Sequence, residues 1–312
     1  MKDKFDEAIC AEGMAKKMVE IRDLTKTFDG VTALDKFNLH IKKGSIYGLV
    51  GVNGSGKTTA IKHLAGIYRQ DSGTVTIDDA PVYNNAGIKA SVGFISDDVY
   101  FFPNYNIKAL GKFYARMYKT WNHARYRQLL DMFELDDKRR VSKFSKGMQK
   151  QAAFIFAMSI MPSFLLLDEP IDGLDPIVRR QIMQEIIDDV AARDMTVLVS
   201  SHNLKEMDGI CDAIGIIKNG RMVIERDLDD LKSDVHKVQV AFAGEVAASD
   251  LGLDILHEEN RGSIKLLVVR GKEAEVVARI KAHDPLIFDR LPLTLEEIFV
   301  YETEGASNEI PY

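Results

Sequence analysis

Residues 46–61 read IYGLVGVNGSGKTTAI, and this stretch decides the fold. An apolar segment leads into a glycine-rich turn, and a lysine and two threonines then begin a helix. Gly51, Gly56, Lys57 and Thr58 match the pattern G-x-x-x-x-G-K-[ST] of the phosphate-binding Walker A loop. Glycines without a Cβ let the backbone curve closely around an anion, with amides and a helix N-terminus facing the phosphates. The stretch therefore predicts a strand, a phosphate loop and a helix.

Each residue type in this loop suits a contact with a nucleotide. Lys57 is expected to reach the β- and γ-phosphates of ATP, and the Thr58 hydroxyl is expected to bind Mg²⁺. The alternative is an ordinary glycine-rich turn between a strand and a helix, but the flanking segments favour the phosphate loop. The residues predicted to contact the nucleotide here are Gly51, Asn53, Gly54, Ser55, Gly56, Lys57, Thr58 and Thr59.

Composition limits the class of protein. With 46 % hydrophobic and 28 % charged residues and a net charge of −6, the 312-residue chain is typical of a globular protein with no general attraction to nucleic acid. Cys10 and Cys211 form no C-x-x-C motif, which favours a reducing, cytoplasmic setting. The N-terminus lacks the apolar core of a signal peptide, and the most apolar run, residues 152–167, is too short to span a bilayer. Any membrane role is expected to need a partner chain.

A second motif ends another apolar segment, since residues 164–170 read FLLLDEP. Four large apolar residues indicate a strand buried on both faces, as in a parallel sheet. Two carboxylates at the end of such a strand cost free energy unless they have a chemical role. Asp168 suits Mg²⁺, directly or through water, and Glu169 suits a base that orients an attacking water. The alternative is a pair of solvated acids, which the phosphate loop upstream disfavours.

Three further features fit nucleotide chemistry but are weak when each is taken alone. Ser145 is a predicted N-cap followed by Lys146 and Gly147, and such a helix start is a second anion site, although most serine-capped helices bind no ligand. Phe28 precedes the phosphate loop and suits stacking on a base, whereas a lone phenylalanine is more often core. His202 follows an apolar strand and suits a γ-phosphate contact, whereas a lone histidine is more often structural.

The remaining segments predict mainly secondary structure. Residues 107–133 read as helical and rich in aromatic side chains, which predicts either a satellite core or a docking surface for another protein. Asn219 and Gly220 form the preferred turn of a hairpin. Beyond Leu231 we expect a small α+β domain without a catalytic constellation. Its predicted elements are strands at 236–242, 264–269 and 286–288, a helix at 272–283, and a last helix that begins with a capping box at Thr294 and Glu297.

Taken in order, these motifs resemble those of the ATP-binding subunits of ABC transporters, over residues 18–225. That family pairs two nucleotide-binding domains head to tail, with ATP between the phosphate loop of one and the signature helix of the other. The resemblance implies that Glu169, His202 and Lys57 are the catalytic residues and that ATP and Mg²⁺ are bound. The further residues to which it assigns a nucleotide contact are Phe28 on the base and Ser145, Gly147 and Gln149 of the signature.

Three positions depart from the family pattern. Asp97 stands where the family has the glutamine of the Q-loop; an aspartate also offers an oxygen to Mg²⁺, with a shorter reach and an added charge. The signature reads SKGMQ rather than the commonest SGGQ, a modest change that keeps the serine and the second glycine. Asp172 stands where a small polar residue is more usual. These changes affect the expected geometry across the dimer rather than nucleotide binding.

The resemblance implies an α/β fold: a P-loop NTPase core with an antiparallel β subdomain and a helical subdomain, followed by a small C-terminal α+β domain. We expect a flexible tail at residues 1–17 and the ATP-binding domain at residues 18–230. The helical subdomain is expected at about residues 98–162, and the accessory domain at residues 231–312.

The C-terminal extension, with its LTLEEIF ending at residues 293–299, resembles that of ABC-2-type exporters of drugs and antimicrobial peptides. We therefore expect an ATP hydrolase that powers an exporter at the cytoplasmic face of the membrane. Its expected partners are transmembrane permease subunits and a second nucleotide-binding subunit, and not nucleic acid. The alternative is a soluble ABC-type ATPase that remodels a ribosome, DNA or an iron–sulfur assembly complex. Against this alternative, the chain has one set of motifs and no sustained heptads.

Overall fold

The computed structural model describes residues 17–244 and 246–304. It divides into two compact units. The first comprises the described residues up to Asn203 together with Ile210–Glu225, and the second comprises Leu204–Gly209 and the described residues from Arg226 onward. Except for Lys17, the predicted N-terminal tail lies outside the described residues, as does Cys10. The predicted boundary between residues 230 and 231 falls inside a helix of the second unit, Leu228–Asp234.

The first unit alternates strands and helices. In chain order they are β1 (Lys17–Phe28), β2 (Val31–Lys42), β3 (Ile46–Val50), α1 (Lys57–Leu64), β4 (Ser72–Ile77), β5 (Ala80–Pro81), α2 (Ala86–Ala90), β6 (Val92–Ile95), α3 (Ile107–Met117), α4 (His123–Met132), a 3-10 turn at Val141–Lys143, α5 (Lys146–Ser159), β7 (Phe164–Asp168), α6 (Pro176–Arg193), β8 (Thr196–Ser201), β9 (Ala213–Lys218) and β10 (Arg221–Asp227).

A mainly parallel sheet forms the centre of this unit, with the strand order β10-β9-β3-β8-β7-β6. Strands β3, β7 and β8 are buried along their whole length, as the apolar runs in the sequence predict. They run parallel to one another, so their carboxyl ends lie at one edge of the sheet. The phosphate loop, Glu169 and His202 follow these three strands in turn. The topology therefore gathers at one edge residues that are far apart in the sequence.

A second, antiparallel sheet has the order β2-β1-β4-β5 and carries Phe28 at the end of β1. One apolar core joins the two sheets. It includes Leu39 from β2, Ile61 and Leu64 from α1, and Leu166 from β7, each fully buried. Helix α1 is thus held in the core that both sheets share, and the loop before it has a fixed position. The predicted fold class, an α/β core with an antiparallel β sheet, is confirmed.

The segment at residues 107–133, predicted to be helical and rich in aromatic side chains, forms the two helices α3 and α4. Helix α4 begins at Asn122, whose side chain accepts hydrogen bonds from two backbone amides of the first turn. The Tyr114 ring stacks on Phe156 with centroids 4.9 Å apart, so part of the segment is a satellite core. Phe113 and Met117 on the same helix are exposed. Core and exposed aromatic positions therefore coexist on α3.

The second unit is an antiparallel sheet with helices, as predicted. Its elements are a 3-10 turn at Leu204–Glu206, α7 (Leu228–Asp234), β11 (Val235–Ala241), a 3-10 turn at Ala248–Leu251, β12 (Asp254–Arg261), β13 (Ile264–Arg270), α8 (Glu273–Lys281), β14 (Ile287–Leu291) and α9 (Leu295–Glu304).

The strand order in this sheet is β12-β13-β11-β14. The sequence did not predict β12, because half of its side chains are charged, all of them are half-buried or exposed, and they give no alternating apolar pattern. The predicted capping box is present: the Thr294 amide donates to Glu297 at 2.9 Å, and the Glu297 amide donates to the Thr294 hydroxyl at 3.3 Å.

Candidate active site

The loop between β3 and α1 has a backbone conformation that strongly favours glycine. Gly54 and Gly56 have φ angles of +81° and +111°, in the region that side chains with a Cβ rarely enter. Gly51 is constrained by space instead. A Cβ there would lie 2.4 Å from the carbonyl oxygen of Ile217 and 2.6 Å from the Ser55 hydroxyl. The three glycines therefore permit a tight curve of backbone amides, which is a geometry that binds phosphate.

Two hydroxyls of this loop are suited to ligand contacts. Ser55 is 3 % exposed, and its Oγ has no hydrogen-bond partner among the described residues. A buried hydroxyl without a partner is costly, and a phosphate oxygen would satisfy it. Thr58 is exposed in the first turn of α1, where the helix dipole favours an anion and where its hydroxyl oxygen suits a magnesium ion bound to that anion. Asn53 is exposed and Thr59 is half-buried beside them.

Lys57 connects the phosphate loop to the carboxylate after β7. It is 6 % exposed, and its Nζ donates to the Gly51 carbonyl at 2.6 Å. The same Nζ lies 3.3 Å from Oε1 of Glu169. That carboxylate oxygen makes no hydrogen bond to the described residues, so the interaction is an ion pair without good hydrogen-bond geometry. A γ-phosphate bound in the loop would compete with Glu169 for this ammonium.

Asp168 and Glu169 are held by one hydroxyl, that of Ser200 on the neighbouring strand β8. The Ser200 Oγ donates to Oδ1 of Asp168 at 2.7 Å and accepts from the Glu169 amide at 3.1 Å. Asp168 is 2 % exposed, whereas Glu169 turns out of the strand with φ of +47°. The two carboxylates therefore leave the strand in different directions. Asp168 and Thr58 offer hard oxygen donors of the kind that suit Mg²⁺.

His202 lies against Glu169, and Asp172 is near both. The His202 Nδ1 is 3.1 Å from Oε2 of Glu169 and 4.0 Å from Oδ2 of Asp172. His202 is substantially exposed, so its ring faces the open edge of the sheet as well as the carboxylate. Glu169 thus has a cation on one oxygen and an imidazole on the other. The three predicted catalytic residues, Lys57, Glu169 and His202, form one contiguous group.

The predicted signature forms the start of α5. Ser145 is its N-cap, with the Oγ accepting from the Met148 amide at 3.2 Å. Gly147 faces the loop after β7, where a Cβ would lie 3.4 Å from the carbonyl oxygen of Gly173. Gln149 donates from Nε2 to the Phe144 carbonyl at 3.1 Å. Ser145 is exposed, and the helix start is thus open to a second molecule.

Phe28 is supported from several sides by its neighbours. Its ring packs against the edge of Tyr68 with centroids 5.1 Å apart, and the Lys26 ammonium lies 5.3 Å from its centroid. Lys26 is in turn held by Asp71 at 2.8 Å. Phe28 keeps 36 % of its surface exposed. The structure therefore holds one aromatic ring in a fixed orientation with a face or edge still open to a ligand.

A buried histidine lies behind these rings. The His63 ring packs edge-on against Tyr68, and its Nδ1 lies 2.8 Å from the carbonyl oxygen of Thr59. Burial lowers the pKa of His63 below its ordinary value. Burial therefore favours the neutral ring, which avoids an unpaired charge on the buried face of α1.

Asp97, which occupies the predicted Q-loop position, is bound by a lysine that the sequence analysis did not single out. Lys150 of α5 donates from Nζ to Oδ1 of Asp97 at 3.0 Å and to the carbonyl oxygen of Glu169 at 2.8 Å. The one available signal was a lysine shortly before the apolar second half of the helix. Ser200 was also missed, because a serine inside an apolar strand has no motif of its own.

The fold and the site together define a P-loop ATPase. A parallel sheet presents a glycine loop with a lysine, two carboxylates after a neighbouring strand and a histidine after a third, all at one edge. The Lys57 ammonium and the His202 imidazole flank the Glu169 carboxylate. This arrangement fits hydrolysis of a nucleoside triphosphate.

Comparisons with known proteins show which family of P-loop ATPases the chain belongs to. Residues 34–172 match the ABC transporter domain family. The ABC transporter ATP-binding protein YtrB of Bacillus subtilis is 30 % identical over 288 residues, which cover 92 % of this chain and 99 % of that protein. The bacitracin transport ATP-binding protein BcrA of Bacillus licheniformis is 32 % identical, covering 69 % of this chain and 71 % of that one. The Nod factor export ATP-binding protein I of Burkholderia lata is 29 % identical, and the match covers 90 % of this chain and 95 % of that protein.

A solved ATP-binding subunit of an ABC transporter superimposes with a TM-score of 0.62 at 26 % identity, covering 69 % of this chain and 92 % of that one. The chain belongs to the ATP-binding proteins of the ABC transporter family. It is an ABC-type ATPase, which confirms the predicted family and activity. No helix among residues 17–244 and 246–304 is long and apolar enough to cross a membrane.

Proposed function

We propose that this ATPase powers an exporter of the ABC-2 type from the cytoplasmic face of the membrane, with transmembrane permease subunits as partners. Three relatives support export: one is named for bacitracin transport, one for lantibiotic transport and one for Nod factor export. The ATPase part of the proposal depends on one observation, the position of Glu169 between the Lys57 ammonium and the His202 ring.

Binding of ATP begins with the phosphates in the glycine loop. The loop amides and the N-terminus of α1 face the β- and γ-phosphates, and the buried Ser55 hydroxyl donates to a phosphate oxygen. Phe28 stacks on the base. Thr58 and Asp168 would hold Mg²⁺, which when bound neutralises charge on the phosphates.

Hydrolysis uses the carboxylate that faces the phosphates. Glu169 accepts a hydrogen bond from the attacking water and orients it in line with the γ-phosphorus. Lys57 moves its ammonium toward the γ-phosphate oxygens, which leaves the Glu169 carboxylate available for water. His202, 3.1 Å from Oε2 of Glu169, holds that carboxylate and donates to the γ-phosphate as charge develops.

The site is completed by a second nucleotide-binding subunit. Ser145 and Gly147 lie at an exposed helix start whose amides suit a γ-phosphate. In the head-to-tail arrangement of this family, they contact the nucleotide held by the partner's glycine loop. ATP closes the pair, hydrolysis reopens it, and the movement is passed to the permease through the aromatic helices α3 and α4.

A genetic experiment tests the export proposal. A strain lacking this chain is expected to become more sensitive to peptide antibiotics of the bacitracin or lantibiotic type. The wild-type chain should restore resistance, and the Glu169→Gln variant should not. Affinity purification from detergent-solubilised membranes should recover a multi-span membrane protein with it. Co-sedimentation with ribosomes instead, with unchanged antibiotic sensitivity, would support the soluble remodelling ATPase and reject the exporter.

A further inference from the structure

Lys150 is a buried cation that joins two parts of the site. It is 8 % exposed, and its Nζ donates to the Glu169 carbonyl at 2.8 Å and to Oδ1 of Asp97 at 3.0 Å. Lysine is almost never this buried unless its charge is paired, and Asp97 supplies that charge. The two acceptors of Lys150 belong to different parts of the site. One is the backbone of the water-orienting residue, and the other is an exposed loop.

Glu169, one of the two residues that Lys150 contacts, has an uncommon backbone conformation. Glu169 has φ of +47°, a left-handed conformation that is uncommon for a residue with a side chain. Its amide donates to the Ser200 hydroxyl at 3.1 Å, and its carbonyl oxygen accepts from Lys150. Both polar groups of its backbone are therefore fixed. This backbone conformation directs the carboxylate toward Lys57 and His202 rather than along the strand.

Asp97, the other residue that Lys150 contacts, lies in an exposed loop. Its side chain is 56 % exposed, and it belongs to the loop that follows β6. Within that loop the Ser96 hydroxyl donates to the carbonyl oxygen of Asp98 at 2.6 Å. If the loop withdraws Asp97, the Lys150 charge loses its counter-ion while still buried, which is strongly unfavourable. The position of the loop and the position of Lys150 are therefore energetically coupled.

We propose that Lys150 is a positioning residue for Glu169, and that the Asp97–Lys150 ion pair couples the loop after β6 to the backbone of that carboxylate. The proposal rests on the proposed role of Glu169 in orienting water. It also revises the expectation for Asp97. The carboxylate holds an ammonium group instead of serving as a ligand of Mg²⁺.

A double-mutant cycle tests the coupling in the full-length chain. Lys150→Gln is expected to lower kcat for ATP at least tenfold, with KM and the affinity for a fluorescent ATP analogue within twofold of wild type. Asp97→Asn is expected to lower kcat by a smaller factor. Because both act through one ion pair, the double variant should be no slower than Lys150→Gln alone. Multiplied effects of the two single changes would overturn the proposal.

Magnesium dependence separates the two roles of Asp97. With Asp97 bound to Lys150, neither Asp97→Asn nor Lys150→Gln should move the Mg²⁺ concentration for half-maximal nucleotide binding by more than twofold. A tenfold increase for Asp97→Asn alone would make Asp97 a metal ligand and reject the proposal. Lys143→Gln, at an exposed lysine before the same helix, is the matched control and should behave as wild type.

One further measurement and one further variant test the link between Lys150 and Glu169. Hydrogen exchange should be faster at the amides of residues 96–98 and of Glu169 in Lys150→Gln, and unchanged exchange would contradict the link. Lys150→Met, which leaves no polar group in the buried position, replaces Lys150→Gln if that variant is unstable. Wild-type turnover in Glu169→Gln would reject the proposed function itself. Wild-type turnover in Lys150→Gln alone would reject the positioning role of Lys150 and leave the proposed function intact.

Discussion

The Lys57 ammonium lies 3.3 Å from Oε1 of Glu169, so the cation of the phosphate loop also neutralises the carboxylate proposed to orient water. Both side chains are largely buried. In the mechanism proposed above, this ammonium serves two acceptors in turn, the carboxylate of Glu169 and a phosphate of the substrate. Binding of ATP and the freeing of Glu169 are therefore linked through a single side chain.

Removal of that ammonium should weaken nucleotide binding. Lys57→Ala deletes a charge-assisted hydrogen bond to phosphate, a type of contact that contributes about 1.5–3 kcal/mol. We expect the ATP affinity to fall at least tenfold in a titration with a fluorescent ATP analogue. Lys43→Ala removes an exposed lysine from the turn before β3 and should leave the affinity unchanged. Equal affinities in wild type and Lys57→Ala would rule out the phosphate loop as the binding site.

The carboxylate itself should be needed for turnover and not for binding. Glu169→Gln keeps the shape of the side chain but removes its basicity, and loss of a general base slows a reaction by about 10²–10⁴-fold. We expect this decrease in kcat with ATP affinity preserved, measured by phosphate release at saturating ATP. Lys57→Ala is the contrasting variant, because it lowers affinity as well. Wild-type turnover would remove Glu169 from the mechanism.

The central part of this site could be predicted from sequence because its signals are local. The glycines, Lys57 and Thr58 occupy adjacent positions whose spacing alone fixes a phosphate loop. The apolar run before Asp168 likewise indicates a buried parallel strand. Parallel pairing then brings the ends of separate strands to one edge, so Glu169 and His202 meet although 33 positions separate them in the sequence.

The rest depends on tertiary packing and has no local signal. Ser200 holds both Asp168 and Glu169 only because β7 and β8 are neighbours in register. Lys150 reaches Asp97 only because α5 packs beside the ends of β6 and β7. The left-handed backbone conformation of Glu169 also could not be predicted from the sequence, because glutamate rarely adopts that conformation.

Phe28 should contribute to affinity through the base alone. Stacking of a base on an aromatic ring is worth about 1–3 kcal/mol, so Phe28→Ala should weaken ATP binding at least fivefold. Inorganic triphosphate has no base, and its affinity, measured by competition, should not change. Phe28→Tyr keeps the ring and should bind ATP as wild type does. Equal losses for ATP and triphosphate would indicate that the substitution disturbs the phosphate loop instead.

Alkaline pH should destabilise the first unit through Cys211. Burial, with a smaller effect of Asp212, raises the pKa of the Cys211 thiol from 9.0 to about 12. The folded state therefore keeps a proton that the unfolded state loses above pH 9. The stabilisation from this group is fully present below pH 9 and is lost as the pH rises from 9 toward 12, by about 1.4 kcal/mol per pH unit at most.

Urea unfolding between pH 8 and 10 tests this expectation, and the comparison with Cys211→Ala separates the thiol from the tyrosines, which ionise in the unfolded chain with a pKa of about 10. The fluorescence of Trp121, the one tryptophan of the chain, reports on the unit that contains Cys211. The free energy of unfolding should decrease from pH 9 to 10 in the wild type. Cys211→Ala removes the titrating thiol, so its curve should be flatter over the same interval, whatever its stability at pH 8. Parallel curves for the two proteins would mean that the Cys211 thiol ionises equally readily in the folded and unfolded states.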